Sequence, residues 1–210
     1  MLHKFRASSL GEIMTDPKSK DELLSVGGKT CIEKIAKQLV YGYDEVVSSK
    51  YMEKGTRVED DAIELYNGVM FTSHAKNTER KTNDWITGEC DIFTPAKITD
   101  IKSAWSLATF PATASQGKDK GYEWQLRAYM MLWNVDKGQI AYCMVDTPED
   151  LIGWDDPTLH YISHINPELR VTLVQYERDT ALEDKIKARC EAANKYLDIV
   201  IKQIADEHAF

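Results

Sequence analysis

Gly88-Glu89-Cys90-Asp91-Ile92-Phe93-Thr94-Pro95-Ala96-Lys97-Ile98-Thr99-Asp100-Ile101-Lys102 reads as two β-strands around a tight turn. Residues from Trp85 to Phe93 and from Ile98 to Ser103 are rich in β-formers, and Thr94-Pro95-Ala96-Lys97 between them is turn chemistry. Alternate strand residues share a face, so Asp100 and Lys102 point one way while Thr99 and Ile101 point the other. With Thr94 to Lys97 as a four-residue loop, Phe93 pairs with Ile98, and counting back places Asp91 opposite Asp100. Opposed Cβ atoms lie roughly 4.5 to 5.5 Å apart. Two like charges so placed repel, and strands are poor in Asp to begin with. Either a hard divalent cation held by carboxylate oxygens compensates, or both aspartates lie at a solvated strand end and Lys102 pairs with one of them.

Outward from this hairpin, Ser9-Leu10-Gly11-Glu12 has the spacing of a capping box and opens a short helix. Thr30-Cys31-Ile32-Glu33 repeats the spacing, followed by Ile32, Ile35, Ala36, Leu39 and Val40 at helical intervals and by Gly42 as a stop. A helix is predicted from Met52 to Tyr66, ending at Asn67-Gly68. Val69 to Thr72, Gln139 to Val145 and Leu169 to Tyr176 read as strands, the last with Leu169, Val171 and Leu173 inward. Tyr122 to Trp133 and Thr180 to Ala209 read as helices. Helices on both sides of one central mixed sheet make an α/β fold.

The chain of 210 residues holds 26 Lys and Arg against 34 Asp and Glu, a net charge of −8. That length fits one domain with a substantial core and excludes disordered, collagenous and small disulfide-built classes. No run of 18 apolar residues occurs, and the segment from Met1 to Arg6 lacks the apolar stretch of a signal peptide, so a soluble, cytoplasmic protein is expected. Cys31, Cys90, Cys143 and Cys190 are dispersed, without paired zinc spacing, and read as reduced. Net acidity argues against a nucleic-acid partner unless the basic residues are gathered, so a nucleic-acid reading requires a basic track beside Lys102.

Two helices add to the hairpin. Gly55, Glu59, Ala62 and Tyr66 fall on one face of the first, so Glu59 is a carboxylate among small and aromatic residues and needs a partner. Gln125 and Tyr129 share a face of the second with core residues such as Leu132 and Trp133. Each could equally be ordinary packing.

Glu59 in G-x-x-x-E-x-x-A-x-x-x-Y, Asp91 in G-E-C-D, Asp100-Ile101-Lys102, and Gln125-x-x-x-Tyr129 together resemble the PD-(D/E)XK nuclease superfamily. Within it the pattern is most similar to the phage lambda exonuclease and YqaJ-type viral recombination nucleases. The resemblance spans Phe5 to Val145 and departs from many relatives only in Cys90, where they carry proline. It implies a restriction-endonuclease-like core: amino-terminal helices over 1–68, a catalytic sheet and helix over 69–146, and a carboxyl-terminal strand and long helix over 147–210. It implies that Asp91, Asp100 and the carbonyl of Ile101 hold one Mg2+ or Mn2+, and that Glu59 helps hold a second ion. Lys102 would position or deprotonate the attacking water, Gln125 would orient the water or a phosphate oxygen, and Tyr129 would pack behind Gln125. Arg6 and Ser9 at the first helix start would bind a terminal 5′-phosphate, unless the segment is a plain cap. Ser103 and Trp105 would meet DNA, Trp105 by stacking on a base, unless that ring is half-buried packing. Digestion of linear double-stranded DNA from the 5′ end, release of mononucleotides, a trimeric ring and a single-strand annealing partner are implied as well. The rivals are a RecB-like or structure-specific nuclease on single-stranded or branched DNA, and a non-catalytic acidic binding module. A degenerate module would have lost at least one of Glu59, Asp91, Asp100 and Lys102, and all four are present.

Other motifs carry less. His160 and His164 lie between Pro157 and Pro167 without an H-E-x-x-H pattern. Gly27-Gly28-Lys29-Thr30 lacks the first glycine of a phosphate loop, since position 23 is Leu23, and reads as a helix cap.

Overall fold

The computed structural model describes residues 2–45 and 48–208. The chain enters through β1 (Phe5–Arg6) and a 3-10 turn into α1 (Leu10–Met14), then α2 (Val26–Tyr41), α3 (Lys50–Arg57) and α4 (Glu59–Met70). Five strands and a helix follow: β2 (Lys81–Thr82), β3 (Ile86–Gly88), β4 (Ile92–Thr94), β5 (Lys97–Ser103), α5 (Lys120–Trp133) and β6 (Lys137–Cys143). A short α6 (Glu149–Ile152), β7 (Val171–Glu177) and the long α7 (Thr180–Glu207) complete the chain; the expected helix end at Ala209 lies outside the described residues.

The strands form two mixed sheets, in the orders β1-β3-β2 and β4-β5-β6-β7, rather than one. The run from Trp85 to Phe93 breaks because Asn77 draws its middle out of strand geometry. The Asn77 amide donates to the Asp91 carbonyl at 2.7 Å and its side chain donates to the Cys90 carbonyl at 3.0 Å. The hairpin register is as the sequence predicts, Phe93 opposite Ile98, although Thr94 and Lys97 also pair and the loop shrinks to Pro95-Ala96. β5 then pairs in parallel with β6, setting Asp100 beside Ile140 and Lys102 beside Tyr142.

Strand alternation divides the core. Ile98 and Ile140 pack with Leu10, Ile13, Ile32, Leu126, Met130 and Ile186 under α1, α2, α5 and α7, while Ile101 and Ala141 pack with Val58, Ala62 and Tyr66 under α4. Full burial of such a side chain stabilises the fold by about 1.5 to 3 kcal/mol. Asp100, as a whole residue only 1% exposed, shares the α5 face of β5 with Ile98, so its carboxylate is carried into the larger core.

Several boundaries differ from the sequence reading. α2 starts at Ser25, whose Oγ accepts from the Gly28 amide at 3.0 Å, while the Thr30 hydroxyl bonds back to Val26. The helix predicted from Met52 divides at buried Val58, and the acidic run Glu59-Asp60-Asp61 opens a new first turn, where the helix dipole favours negative charge. That second helix continues through Asn67-Gly68 and Val69, so Val69 to Thr72 is not a strand. It stops at Phe71 in the left-handed conformation, φ 53°, where the Asn67 side chain gathers Thr72 and His74. Leu169 is exposed in a 3-10 turn before β7. Cys31, Cys90, Cys143 and Cys190 are free thiols, and no helix among the described residues is long and apolar enough to cross a membrane.

Candidate active site

An open cleft of about 670 Å³ lies over the end of β5, lined by Glu59, Asp91, Asp100, Lys102, Gln125 and Tyr142 among others. β5 supplies Asp100, Ile101, Lys102 and Ser103; the bend before β4 supplies Asp91; the start of α4 supplies Glu59; the first turns of α5 supply Gln125.

Around Asp100 the contacts close into a network. Lys102 Nζ lies 2.7 Å from Asp100 Oδ2, and it donates to Gln125 Oε1 at 3.2 Å. The Gln125 amide donates to Asp100 Oδ1 at 3.3 Å and to the Tyr129 hydroxyl at 2.9 Å. The amide is therefore fixed with its oxygen toward the ammonium and its nitrogen toward the carboxylate. Despite the close ammonium, Asp100 Oδ2 has no hydrogen bond in a geometry that would satisfy it. With the ammonium as its sole close partner, this oxygen keeps capacity for a second electrophile.

Asp91 Oδ2 accepts from the Ile101 amide at 2.6 Å. Burial, and then the charge of Asp100, push the Asp91 pKa up to about 7 despite the opposing pull of Lys102. Burial works against the charge of Lys102, yet the adjoining Asp100 outweighs it and holds that ammonium above its ordinary pKa. Its Nζ also lies 4.7 Å from the centre of the Tyr122 ring, a cation–π contact.

Glu59 stands apart from this network. Its Oε2 is 2.5 Å from Lys76 Nζ, and among the described residues no three His, Cys, Asp or Glu side chains gather closely enough to hold an ion together. The pair Asp91 and Asp100 is what converges. Two carboxylates, one with an unsatisfied oxygen, form a hard oxygen donor set of the kind Mg2+ and Mn2+ accept, with water completing the coordination. The residues present thus fit one such ion.

Ser103 and Trp105 line the cleft, but the Trp105 ring is already engaged. Lys50 Nζ lies 4.5 Å over it, Tyr51 and His160 meet it edge-on, and its Nε1 donates to Asp155 at 3.1 Å. A base could stack only by displacing Lys50. His160 is a buried packing residue bonded through Nδ1 to the Thr147 hydroxyl.

Arg6 opens a second, smaller hollow with Ser8, Arg80, Gly88, Glu89 and Tyr129. Ser9 does not line it; its hydroxyl turns back toward the Arg6 carbonyl at 3.4 Å. The segment is a 3-10 turn leading into a five-residue helix, so little dipole is available, and Arg80 supplies the charge that the helix start does not. Tyr129 stands between the two hollows, lining this one and holding Gln125 in the other.

Arg80 and the buried Lys54 are invisible in the sequence. Lys54 Nζ donates to the carbonyls of Ala104, Trp105 and Val145 at 2.6, 3.0 and 3.1 Å, tying α3 to the ends of β5 and β6. No periodicity marks either residue, because Lys54 bonds to backbone carbonyls 50 to 91 positions on and Arg80 to a loop residue nine positions on. Near the cleft Lys50 pairs with Asp155 and Lys76 with Glu59, while Lys102 faces into it beside Asp100.

The same architecture occurs in the crystal structure of a phage-related exonuclease from Haemophilus somnus 129PT, with a TM-score of 0.90 and 35% identity over 97% of each chain. The chain belongs to the PD-(D/E)XK viral recombination nucleases. An alkaline exonuclease from Laribacter hongkongensis shares the fold at a TM-score of 0.71 and 18% identity, covering 98% of this chain and 93% of that one, alone and in complex with dAMP. No protein-family model matches the chain, and no curated protein sequence does. As a PD-(D/E)XK nuclease it is a hydrolase, and Glu59, Asp91, Asp100, Lys102 and Gln125, which carry the resemblance in the sequence, line the cleft described above, with Tyr129 behind Gln125.

Proposed function

We infer that this nuclease is a metal-dependent exonuclease of linear double-stranded DNA, cutting from 5′ to 3′, releasing mononucleotides and leaving a 3′ single strand for recombination. The observation that carries the reading is the buried Asp100 carboxylate, held by Lys102 and Gln125 beside Asp91. Duplex preference and polarity rest on the family likeness.

Asp91, Asp100 and the backbone carbonyl of Ile101 would hold Mg2+, with Mn2+ able to substitute. Bound there, the ion supplies Lewis-acid polarisation of the scissile phosphate and a stronger nucleophile from water. Lys102 keeps its proton in this environment, so it places the water and offsets phosphate charge, as a compact point charge can. Gln125 orients that ammonium and Asp100, and through them would orient the water or a phosphate oxygen, while Tyr129 prevents the amide from turning over. Glu59 faces the cleft from the opposite side. Arg6, with Arg80, would take the terminal 5′-phosphate, and Ser103 would meet the strand near the cut. Assembly as a trimer around DNA, cooperation with a single-strand annealing protein and a cytoplasmic place of work belong to the same proposal and are supported by the family likeness alone.

Digestion of 5′-phosphorylated linear duplex with Mg2+, set against nicked and closed circular duplex, tests the reading. Loss of linear DNA with closed circles untouched is expected. Cutting of closed circles would remove the exonuclease assignment, and inertness with both Mg2+ and Mn2+ would remove the nuclease chemistry itself.

A further inference from the structure

Asn77 lies in the segment between α4 and β2, outside the residues that carry the family resemblance, yet its polar groups converge on the approach to β4. Its backbone amide donates to the Asp91 carbonyl at 2.7 Å. Its side-chain nitrogen donates to the carbonyls of Cys90 at 3.0 Å and Glu79 at 2.9 Å, and its side-chain oxygen accepts from the Glu79 amide at 3.2 Å. The bonds to Glu79 shape its own turn, as asparagine commonly does. Those to Cys90 and Asp91 reach across to the cleft.

The hairpin register shows what these bonds replace. Hydrogen-bonded and non-hydrogen-bonded pairs alternate along an antiparallel ladder. The pair that closes the two-residue loop, Thr94 with Lys97, is a bonded one, so Ile92 with Thr99 is bonded too, and a ladder carried further would next bond Cys90 to Ile101. There the Ile101 amide would donate to the Cys90 carbonyl. Asn77 holds that carbonyl instead, the ladder stops at Ile92, and the Ile101 amide takes Asp91 Oδ2 at 2.6 Å. The N–H and C=O of a strand residue point to the same edge, so the same break releases the Ile101 carbonyl from the ladder. Ile101 lines the cleft.

We propose that Asn77 is a positioning residue for the nuclease reaction: by holding the carbonyls of Cys90 and Asp91 it stops the hairpin ladder one bonded pair short, which places the Asp91 carboxylate on the Ile101 amide and opens the Ile101 carbonyl to a divalent ion. This rests on the metal-dependent reading given above. Asn77 touches neither ion nor substrate and acts through Asp91 and Ile101.

Two variants separate positioning from folding. Asn77→Asp keeps the acceptor for Glu79 and loses the donor to Cys90, while its added negative charge would by itself strengthen cation binding. Asn77→Ala loses both. With Mn2+ titrated into the protein without DNA and the free ion followed by electron paramagnetic resonance, both variants should bind about 10- to 100-fold more weakly than wild type, the usual cost of removing an outer partner of a metal ligand. In digestion of linear duplex the Mg2+ needed for half-maximal rate should rise by a similar factor, with KM for DNA little changed and the rate recovered at high Mg2+. Wild-type Mn2+ affinity in both variants, or a lowered rate that high Mg2+ does not recover, would overturn the role of Asn77 and leave a metal-dependent nuclease in place. Absence of Mn2+ binding by folded wild type would overturn that broader reading and this one together. Where circular dichroism shows the variants unfolded, wild type alone decides: in a Mg2+ titration the nuclear magnetic resonance signal of the Asn77 side-chain amide should move with the same midpoint as that of the Ile101 amide, and an unmoved Asn77 signal would overturn the role.

Discussion

Asp100 Oδ2 lies 2.7 Å from Lys102 Nζ, two residues further along the same strand and on the same face. The carboxylate is 2% exposed and the ammonium 20%, so neither charge is well hydrated without the other. Removing one partner of such a pair leaves a buried charge uncompensated, at a cost of about 3 to 5 kcal/mol, whereas replacing both is close to neutral. Lys102→Ala should therefore unfold at lower denaturant and lose nuclease activity by at least about 100-fold. Asp100→Asn combined with Lys102→Met should recover most of the stability and none of the activity. Denaturant melts beside a digestion assay separate the two effects, and an equally active Lys102→Ala enzyme would contradict the assigned role.

Tyr129→Phe removes the hydroxyl that fixes the Gln125 amide. Lys102 and Asp100 still hold Gln125 from the other side, so the fold should change in stability by only about 1 kcal/mol. Turnover should fall by roughly tenfold with KM little altered, because the loss concerns orientation rather than binding. A change confined to KM would place Tyr129 in substrate binding.

Gly88 has no room for a side chain. A Cβ there would come within 2.7 Å of the Tyr129 ring and 2.9 Å of Ala7 Cβ, both in packed surroundings. Gly88→Ala should cost about 1 to 3 kcal/mol as the ring is forced aside, and should disturb the Arg6 hollow and the Gln125 amide at once. An unchanged melting profile with full activity would show that the ring moves freely.

Arg6→Ala should abolish any preference for a 5′-phosphorylated end over a dephosphorylated one, while leaving the slower rate on dephosphorylated duplex unchanged. The measurement is the ratio of initial rates on the two substrates for each protein. A wild type that digests both ends equally fast would remove the phosphate role of this hollow.

Burial lowers the Lys54 pKa from 10.5 to about 8. Between those values the unfolded chain carries a proton that the folded chain has shed, so this group's contribution to stability rises with pH, by about 1 kcal/mol at pH 9. The free thiols, pushed up by burial, oppose this trend above their ordinary range, so the informative quantity is a difference. Wild type should gain on Lys54→Met by that amount between pH 7 and pH 9 in chemical denaturation. A constant difference would mean that Lys54 does not titrate there.

The catalytic hairpin was legible because its information is local: alternation and one turn fix which way Asp91, Asp100 and Lys102 point. The helix carrying Gln125 and Tyr129 was legible for the same reason, a four-residue spacing on an apolar face. What the sequence hid depends on partners distant in the chain. The break at Val58 follows no propensity rule, and the division into two sheets comes from Asn77 capturing the carbonyls of Cys90 and Asp91. The expected place of Glu59 beside a second ion missed Lys76, because a loop lysine carries no periodic signal. Thr147 to Asn166, to which the sequence assigns no role, braces the site: Asp155 takes both Lys50 and Trp105, and Asp150 holds Arg57 through two hydrogen bonds.

The parallel pairing of β5 with β6 has a consequence in time. The residues that join those strands include all of α5, so the full pairing cannot form until the chain has been made to Cys143, nor the Gln125 contact to Asp100 until α5 has been made. A growing polypeptide that has already emerged with both aspartates and Lys102 still lacks the support that sets their geometry. The support around Asp100 is therefore completed by elements made after the residues they hold.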